Sequence, residues 1–325
     1  MRNGGRLKYG AGVNSAAPAQ QHAHRAKPAP IVLITLLSVP SKEILTSARD
    51  LFLRVPGCQR AVRAATLRGL VPSAVWRRLH PTGEWSMQAP DGSTFRYVSS
   101  DADILARSLI WTNMRHWEET THPLFYQLAR NARRFVDIGA FSGIYTLLAC
   151  RANPQLEAVA VEPNPAAIRM LNRNVRANGL ESRVTIIDKA LSDAPGRAVL
   201  RIPTNTTTAS LLARRPAQRV LDVDVTTGDA LLDGLAVDLI KIDVEGLEPQ
   251  VLRGMEKSIR VHHPAIIAEC LDKAALSRVR ETAFDLGYRR IQHLGDTGPV
   301  PVTADLVPPA RYANFLITRD AAAAS

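Results

Sequence analysis

Val136-Asp-Ile-Gly-Ala-Phe-Ser-Gly143 decides the fold of this 325-residue chain. Phe135, Val136 and Ile138 make an apolar strand with an acid, Asp137, at its end. Gly139 and Gly143 mark a turn, and Ile144-Tyr-Thr-Leu-Leu-Ala-Cys150 continues as a helix. Strand, glycine turn and helix in that order build a nucleotide-type site. The glycines admit close backbone approach, and a helix N-terminus offers unpaired N–H donors. The dinucleotide fingerprint G-x-G-x-x-G is absent, because Asp137 stands at its first glycine position.

A carboxylate at the strand end suits a cationic ligand. S-adenosylmethionine (SAM) carries a sulfonium and an ammonium, which Asp137 can attract directly or through water. Glu157-Ala-Val-Ala-Val-Glu162-Pro163 is a second short strand, and its acid follows Asp137 by 25 residues. In a βαβ unit, an acid there meets a ribose diol. Asn164-Pro165 then opens a helix that runs to about Asn178, with Gly179 after its end. Val184-Thr-Ile-Ile-Asp188 is a third strand ending in an acid, and Asp188 is placed to accept from an adenine amino group. The plainer alternative for each acid is a strand-end or surface carboxylate.

Val237-Asp-Leu-Ile-Lys-Ile-Asp243 is a fourth strand, followed by Val244-Glu-Gly-Leu-Glu248. Lys241 and Asp243 share a face, because side chains alternate along a strand. A lysine inside a parallel sheet needs a partner. Glu269, in the strand Ala265-Ile-Ile-Ala-Glu-Cys270, is expected to supply it. Asp243 and Glu245 fall at the carboxyl edge, where ligands bind in such sheets.

These residues resemble one family. Val136-Asp-Ile-Gly-Ala with Gly143, Glu162-Pro163, Ile240-Lys-Ile-Asp-Val-Glu-Gly246, Glu269 and Asn314-Phe-Leu-Ile are similar to the FkbM family of SAM-dependent O-methyltransferases. The resemblance covers roughly residues 85–318, and Ile-Lys-Ile-Asp-Val-Glu-Gly is its most specific part. The family usually has Asn where this chain has Phe141. The resemblance implies a class I SAM-methyltransferase, Rossmann-like α/β fold. Its sheet would be seven-stranded and mostly parallel, with an antiparallel last strand, behind a helical N-terminal extension. It also implies SAM as methyl donor and a hydroxyl acceptor on a sugar, glycan or small metabolite. Asp137, Gly139, Ala140, Gly143, Glu162, Asp188 and Asp243 are the expected cofactor-binding residues, and Asp243 and Glu245 the expected catalytic ones.

Length allows one catalytic domain with additions. Residues 1–30, basic and rich in Gly, Ala, Gln, His and Pro, read as a disordered tail. Residues 31–133 read as a helical and hairpin cap, and 134–325 as the SAM-binding domain. Ile31–Val39 is apolar, but far short of the ~20 residues that span a bilayer. It reads as a packing strand or helix, with a membrane or export role as the alternative. Three cysteines with no C-x-x-C point to a reducing, cytoplasmic setting without disulfides or a metal site.

The net charge of +11 is uneven. Residues 1–80 hold 13 Lys or Arg and two acids, whereas the remainder holds 28 of each sign. Ser41 to about Leu79 reads as an arginine-rich helical stretch with Arg54, Arg60, Arg63, Arg68, Arg77 and Arg78. Its plain role is a solvated cover, and its sharper one is peripheral contact with an anionic membrane or acidic partner.

Trp85–Val98 reads as a hairpin turning at Asp91-Gly92. Asp101–Arg133 reads as an aromatic-rich helical stretch over the acceptor side, with His116 and His122 as candidate bases. Gly196–Ile202 reads as an extra strand, and Asn205-Thr-Thr-Thr-Ala-Ser210 as a polar loop suited to turns or to hydrogen-bonding an acceptor. Tyr288–Ile291 and Asn314–Thr318 read as an antiparallel pair.

Methyl transfer to an alcohol needs in-line alignment, exclusion of water and a base. Asp243 or Glu245 is expected to be that base, or to orient one from the cap. Two rivals stand beside this reading. A nucleic-acid methyltransferase using the basic arm is disfavoured by the missing D/N-P-P-Y/F sequence and by 5% aromatic content without a stacking stripe. The other rival is a non-catalytic module that keeps the fold for binding.

Overall fold

The computed structural model describes residue 53, residue 55 and residues 57–100, 103–202, 219–303 and 313–319. The tail, the apolar run Ile31–Val39, Arg54 and the loop 205–210 lie outside the described residues.

Among the described residues helices α1 (Cys58–Leu67) and α2 (Ser73–Trp76) come first, then the hairpin β1 (Gly83–Gln88) and β2 (Thr94–Ser99). The hairpin turns at Asp91-Gly92 as expected, with Gly92 at φ +84°. The stretch expected to be helical over 101–133 divides into α3 (Ala106–Thr112) and α4 (Thr121–Asn131). Asn113, Met114 and Glu118 between them have positive φ, which an α-helix excludes.

The chain then alternates: β3 (Arg134–Ile138), α5 (Ile144–Ala152), β4 (Glu157–Val161), α6 (Pro165–Ala177) and β5 (Val184–Ile187). Asn164 caps α6, its side chain accepting from Ala166 N at 3.0 Å. Strands β6 (Ala190–Leu191), β7 (Gly196–Ile202) and β8 (Arg219–Thr226) form a separate three-stranded sheet. After α7 (Gly228–Leu232) come β9 (Leu239–Ile242), α8 (Glu248–Arg253), α9 (Glu256–His262), β10 (Ala265–Cys270) and α10 (Lys273–Asp285). The last elements are β11 (Arg290–Gly295), β12 (Gly298–Pro301) and β13 (Ala313–Thr318).

The main sheet has the order β12-β11-β13-β10-β9-β3-β4-β5. Among the described residues it has eight strands where seven were expected. The extra one is β12, which folds back on β11 with Gly295 opposite Gly298 and Gly298 at φ +103°. The last described strand, β13, is antiparallel to both β10 and β11. The order reverses between β3 and β9, where such sheets open their ligand crevice.

Alternation gives the sheet two unlike faces. Val136, Ile138, Ile240, Ile242, Ile266 and Ala268 pack with Val251, Leu252, Ile259 and Val279 from α8 to α10. Phe135, Leu239, Ile267 and Leu316 share one core with Leu147 and Leu148 of α5 and with Trp85, Tyr97, Trp111 and Phe125 of the N-terminal segment. Phe125 stacks edge-on against Phe135 and Tyr145, at 4.9 and 4.7 Å between ring centres. Asp137, Lys241, Glu269 and Asn314 have this second face's parity, so four polar side chains point at the cap side.

Polar ties fix the hairpin to the sheet domain. Asn174, fully buried in α6, accepts from Val98 N at 2.6 Å and donates to Ser142 O at 2.8 Å. Asn178 exchanges two 2.8 Å bonds with the Arg96 backbone. Tyr97 Oη donates to Asp103 Oδ2 at 2.7 Å and lies 2.7 Å from Ser142 Oγ, inside the glycine turn. Among the described residues no helix is long and apolar enough to cross a membrane. Asn174→Ala orphans the buried Ser142 carbonyl and the part-buried Val98 N–H, so urea unfolding should show a loss of about 2–4 kcal/mol. A loss under about 0.5 kcal/mol, the level of an ordinary surface change, would contradict the tie.

Candidate cofactor and active site

The turn after β3 is shaped by its neighbours. Gly139 and Gly143 have φ of +81° and +83°. A Cβ on Gly139 would stand 1.9 Å from the Asp243 carbonyl oxygen. Asp243 N in turn donates to Ile138 O at 2.9 Å. Gly139 therefore serves first to let the loops after β3 and β9 touch, and its expected role toward a ligand comes second. Gly139 N and Ala140 N both donate to Val161 O, at 2.9 and 3.1 Å, which ties the turn to the end of β4. Phe141 has φ +48°, a left-handed conformation that Asn tolerates and Phe resists. This accounts physically for an Asn preference at the position.

The expected acids gather at one sheet edge with different surroundings. Asp137 is buried, and its Oδ2 accepts from Thr146 N at 3.1 Å and Thr146 Oγ1 at 2.7 Å, in the first turn of α5. One of its oxygens is thus spent on the helix start rather than left for a ligand cation. Burial pushes its pKa up to about 6, against the pull of Thr146 and Lys241. Glu162 is also buried, and its two oxygens accept from Phe141 N at 2.9 Å and Asn164 N at 2.8 Å. Burial raises its pKa to about 7, opposed by those two N–H donors. A carboxylate has about four lone-pair positions, so two remain for a diol. Asp188, at the end of β5, is exposed.

Lys241 departs from expectation. Its Nζ lies 3.7 Å from Asp243 Oδ2, and the Lys241–Glu269 ion pair does not form. Register gives the reason: Lys241 sits opposite Ile267 and Asp137, while Glu269 lies two residues farther toward the carboxyl edge. The ammonium is 1% exposed, has no hydrogen-bond partner and stands 5.3 Å from the Tyr145 ring centre. Burial opposes its charge, but Asp243, Glu118, Glu269 and Asp137 together hold its pKa above the ordinary value. Glu269 is likewise raised, well above its usual range: burial, then the Asp243 charge, keep its proton on. Asp243 is 36% exposed, Glu245 is partly exposed at φ +57°, and both lie at the sheet's carboxyl edge.

Residues 137–290 match the family model of the methyltransferase FkbM domain. That segment is similar to the methyltransferase FkbM domain. A curated relative, methyltransferase sdnD from Sordaria araneosa, is 30% identical over 155 residues, covering 38% of this chain and 60% of that protein. The chain therefore spans less than two thirds of the relative it matches. Among solved structures, methyltransferase FkbM from Methylobacillus flagellatus KT is 15% identical, with TM-score 0.41 over 68% of this chain and 55% of its own. A SAM-dependent O-methyltransferase from Thermotoga maritima is 13% identical, with TM-score 0.38 over 74% and 94%.

One residue of the polar cluster was missed by sequence reasoning. Glu118, from the turn before α4, accepts on Oε2 from Tyr145 Oη and from Asn314 Nδ2, the latter at 2.9 Å. No local pattern marks it, since its partners are 27 and 196 residues away. The expected histidine bases sit elsewhere. His122 is buried, bonds through Nδ1 to the carbonyls of Trp117 and Glu118 at 2.9 and 3.1 Å, and stacks on Trp117. Exposed His116 pairs with Glu119 at 3.2 Å. Arg63 is not a solvated cation either: it donates to Ile110 O and Asn113 Oδ1, at 2.9 and 3.0 Å. Arg60, Arg68, Arg77 and Arg78 are exposed.

A cleft of about 640 Å³ lies at the opposite sheet edge, lined by Arg60, Arg96, Arg151 and Arg183. Arg183 is used on the carbonyls of Cys150, Asn153 and Leu156, Arg151 on Ser93, and Arg96 on Glu84. It is remote from the Gly139–Gly143 turn and contributes nothing to the site.

Two outcomes follow from these environments. Among the described residues the Phe141 ring joins neither main core cluster, so Phe141→Asn relieves backbone strain at little cost in packing. Stability should rise by about 0.5–1 kcal/mol, and a lower melting temperature would contradict this. Glu162 goes from 4.5 to about 7 on folding, so between those values the folded state keeps a proton that the unfolded chain has released. Its contribution is complete below the unfolded value and is lost as pH rises through the folded one. Glu162→Gln should therefore flatten the fall in stability across that window; identical slopes in both proteins would rule it out.

Proposed function

We propose that the chain is a SAM-dependent methyltransferase that O-methylates a hydroxyl of a sugar, glycan or small metabolite. The observation that carries the SAM assignment is Glu162. Its carboxylate is buried at the end of β4, anchored by one backbone N–H on each oxygen, with acceptor capacity left for two hydroxyls. A ribose diol has that complement. The donor set fits the group: Glu162 for the ribose, Asp188 for the adenine amino group, and Asp137 with the Gly139–Gly143 turn for the amino-acid end. SAM, when bound, supplies a methyl group on a sulfonium, which an oxygen nucleophile displaces in line.

The chain's own residues do the rest. Asp243 stands between the cofactor turn and the open edge, touching the first through the Gly139 contact and reaching solvent on the second. Behind it the Lys241 ammonium faces the carboxylate at 3.7 Å. We assign Asp243 and Glu245 to hold the reacting groups at that edge, residues 134–325 to the SAM-binding domain, and the segment up to residue 133 to covering the acceptor. A buried, aromatic-lined cover excludes water, which strengthens every charge inside.

Incubation with tritium-labelled SAM and fractionated glycans and metabolites should place label in a hydroxyl-bearing fraction. Asp243→Asn should lower transfer about 100-fold with SAM affinity retained. Undiminished transfer by both Asp243→Asn and Glu245→Gln would contradict the assignment of these acids.

A further inference from the structure

Glu118 is the one acid of the cluster that comes from outside the sheet domain. Its backbone is held at φ +44°, a strained conformation for a non-glycine residue. His122 pins that turn by its bonds to the carbonyls of Trp117 and Glu118. The Glu118 carboxylate is tied by Tyr145, in the first turn of α5, and by Asn314 in β13. Three elements distant in sequence thus converge on one carboxylate, beside the Lys241 ammonium.

Two polar groups of this cluster have no partner. Lys241 Nζ is 1% exposed and bonded to nothing, and its nearest acid is Asp243 at 3.7 Å. Asn314 Oδ1 is buried and equally unpartnered, although the Nδ2 of the same amide is bonded to Glu118. Leaving a buried carbonyl unpaired costs about 1–3 kcal/mol, and an unpaired ammonium more. One group is a donor and the other an acceptor. Hydroxyls complement both, because each hydroxyl can accept one bond and donate another.

We propose that Glu118 is the base that receives the proton of the acceptor hydroxyl, with Lys241 and Asn314 as the groups that bind the acceptor's oxygens. The assignment rests on the methyltransferase reading above. In the step, the acceptor's O–H proton moves to a Glu118 oxygen as the oxygen gains the methyl group. The S–CH3 bond of the donor breaks and leaves a neutral thioether, so charge and atoms balance. The Lys241 ammonium lies where negative charge grows on the acceptor oxygen. Asp243 is less suited to the base role, because its carboxylate already faces that ammonium. Burial holds Glu118 above the usual carboxylate range, and Lys241 limits the rise. The groups that face it are Lys241 and Asp243 from β9 and its end, Glu269 from β10, Tyr145 from α5 and Asn314 from β13.

The full-length chain tests this with Glu118→Gln, Tyr145→Phe and Lys241→Met. S-adenosylhomocysteine binding should be unchanged in Glu118→Gln, while label transfer to the accepting fraction falls about 100-fold or more. Wild-type transfer by Glu118→Gln overturns the proposal. Absence of transfer by the wild-type chain to every fraction overturns the methyltransferase reading, and this assignment with it. Should Glu118→Gln melt below the assay temperature, Tyr145→Phe decides. Loss of that hydrogen bond should move the acid limb of the pH–rate profile to higher pH, which a merely structural tyrosine would not do, and an unmoved limb counts against the base. Independently of turnover, carbon-13 titration of labelled glutamates should show the Glu118 carboxyl titrating above the ordinary range, and higher still in Lys241→Met. An ordinary, Lys241-independent titration contradicts the assignment.

Discussion

The Asp243 carbonyl stands where a side chain on residue 139 would be. The rest of the site depends on that contact. It presses the turn after β3 against the loop after β9, at the point where strand order reverses. Once the two loops touch, Asp137 and Glu162 lie on one side of the junction and Asp243 and Glu245 on the other. Any side chain on residue 139 would have to force apart two parallel strands whose hydrogen-bond register is already set.

The same face of the sheet then carries an electrostatic constraint. One ammonium, Lys241, sits among Asp137, Asp243, Glu269 and the incoming Glu118. Four acids around one base cannot all ionise cheaply in a buried place. The result is a division of states, with Glu269 keeping its proton and Asp243 facing the ammonium. The N-terminal segment belongs to this arrangement as well as to the apolar core. Tyr97 reaches Ser142 inside the glycine turn, Asn174 bridges hairpin and turn, and Tyr145 and Asn314 receive Glu118. The sheet domain and the segment before it thus share one core and one polar cluster.

Much of this was legible in the chain. Short apolar runs ending in acids gave β3, β4, β5 and β9, and the Asp91-Gly92 pair gave the hairpin. Asn164-Pro165 and Gly179 bounded α6, because caps are local chemistry. Pairing across the fold was not legible. Lys241 was matched to Glu269 by strand adjacency, but the stagger of β9 against β10 sets Ile267 beside it. The break between α3 and α4 was hidden because Met and Glu are not residues that announce left-handed backbone. Glu118 went unseen for the same reason, together with partners far away in sequence. β12 escaped because its four residues include two prolines, a composition that argues against a strand. It pairs only with β11, at the sheet edge, where proline is tolerated.

Phe141 shows how the two levels meet. As a sequence feature it is only a departure from a family's usual Asn. In the fold, its N–H is half of what anchors Glu162, and its φ is one that Asn adopts more readily. The central claim is that Glu162, so anchored, receives a ribose diol. Calorimetric titration of SAM into the wild-type chain and into Glu162→Ala tests it most directly. The account predicts one site of micromolar affinity that is lost in the variant. Equal affinity in both proteins, or no heat of binding to the wild-type chain, would contradict it.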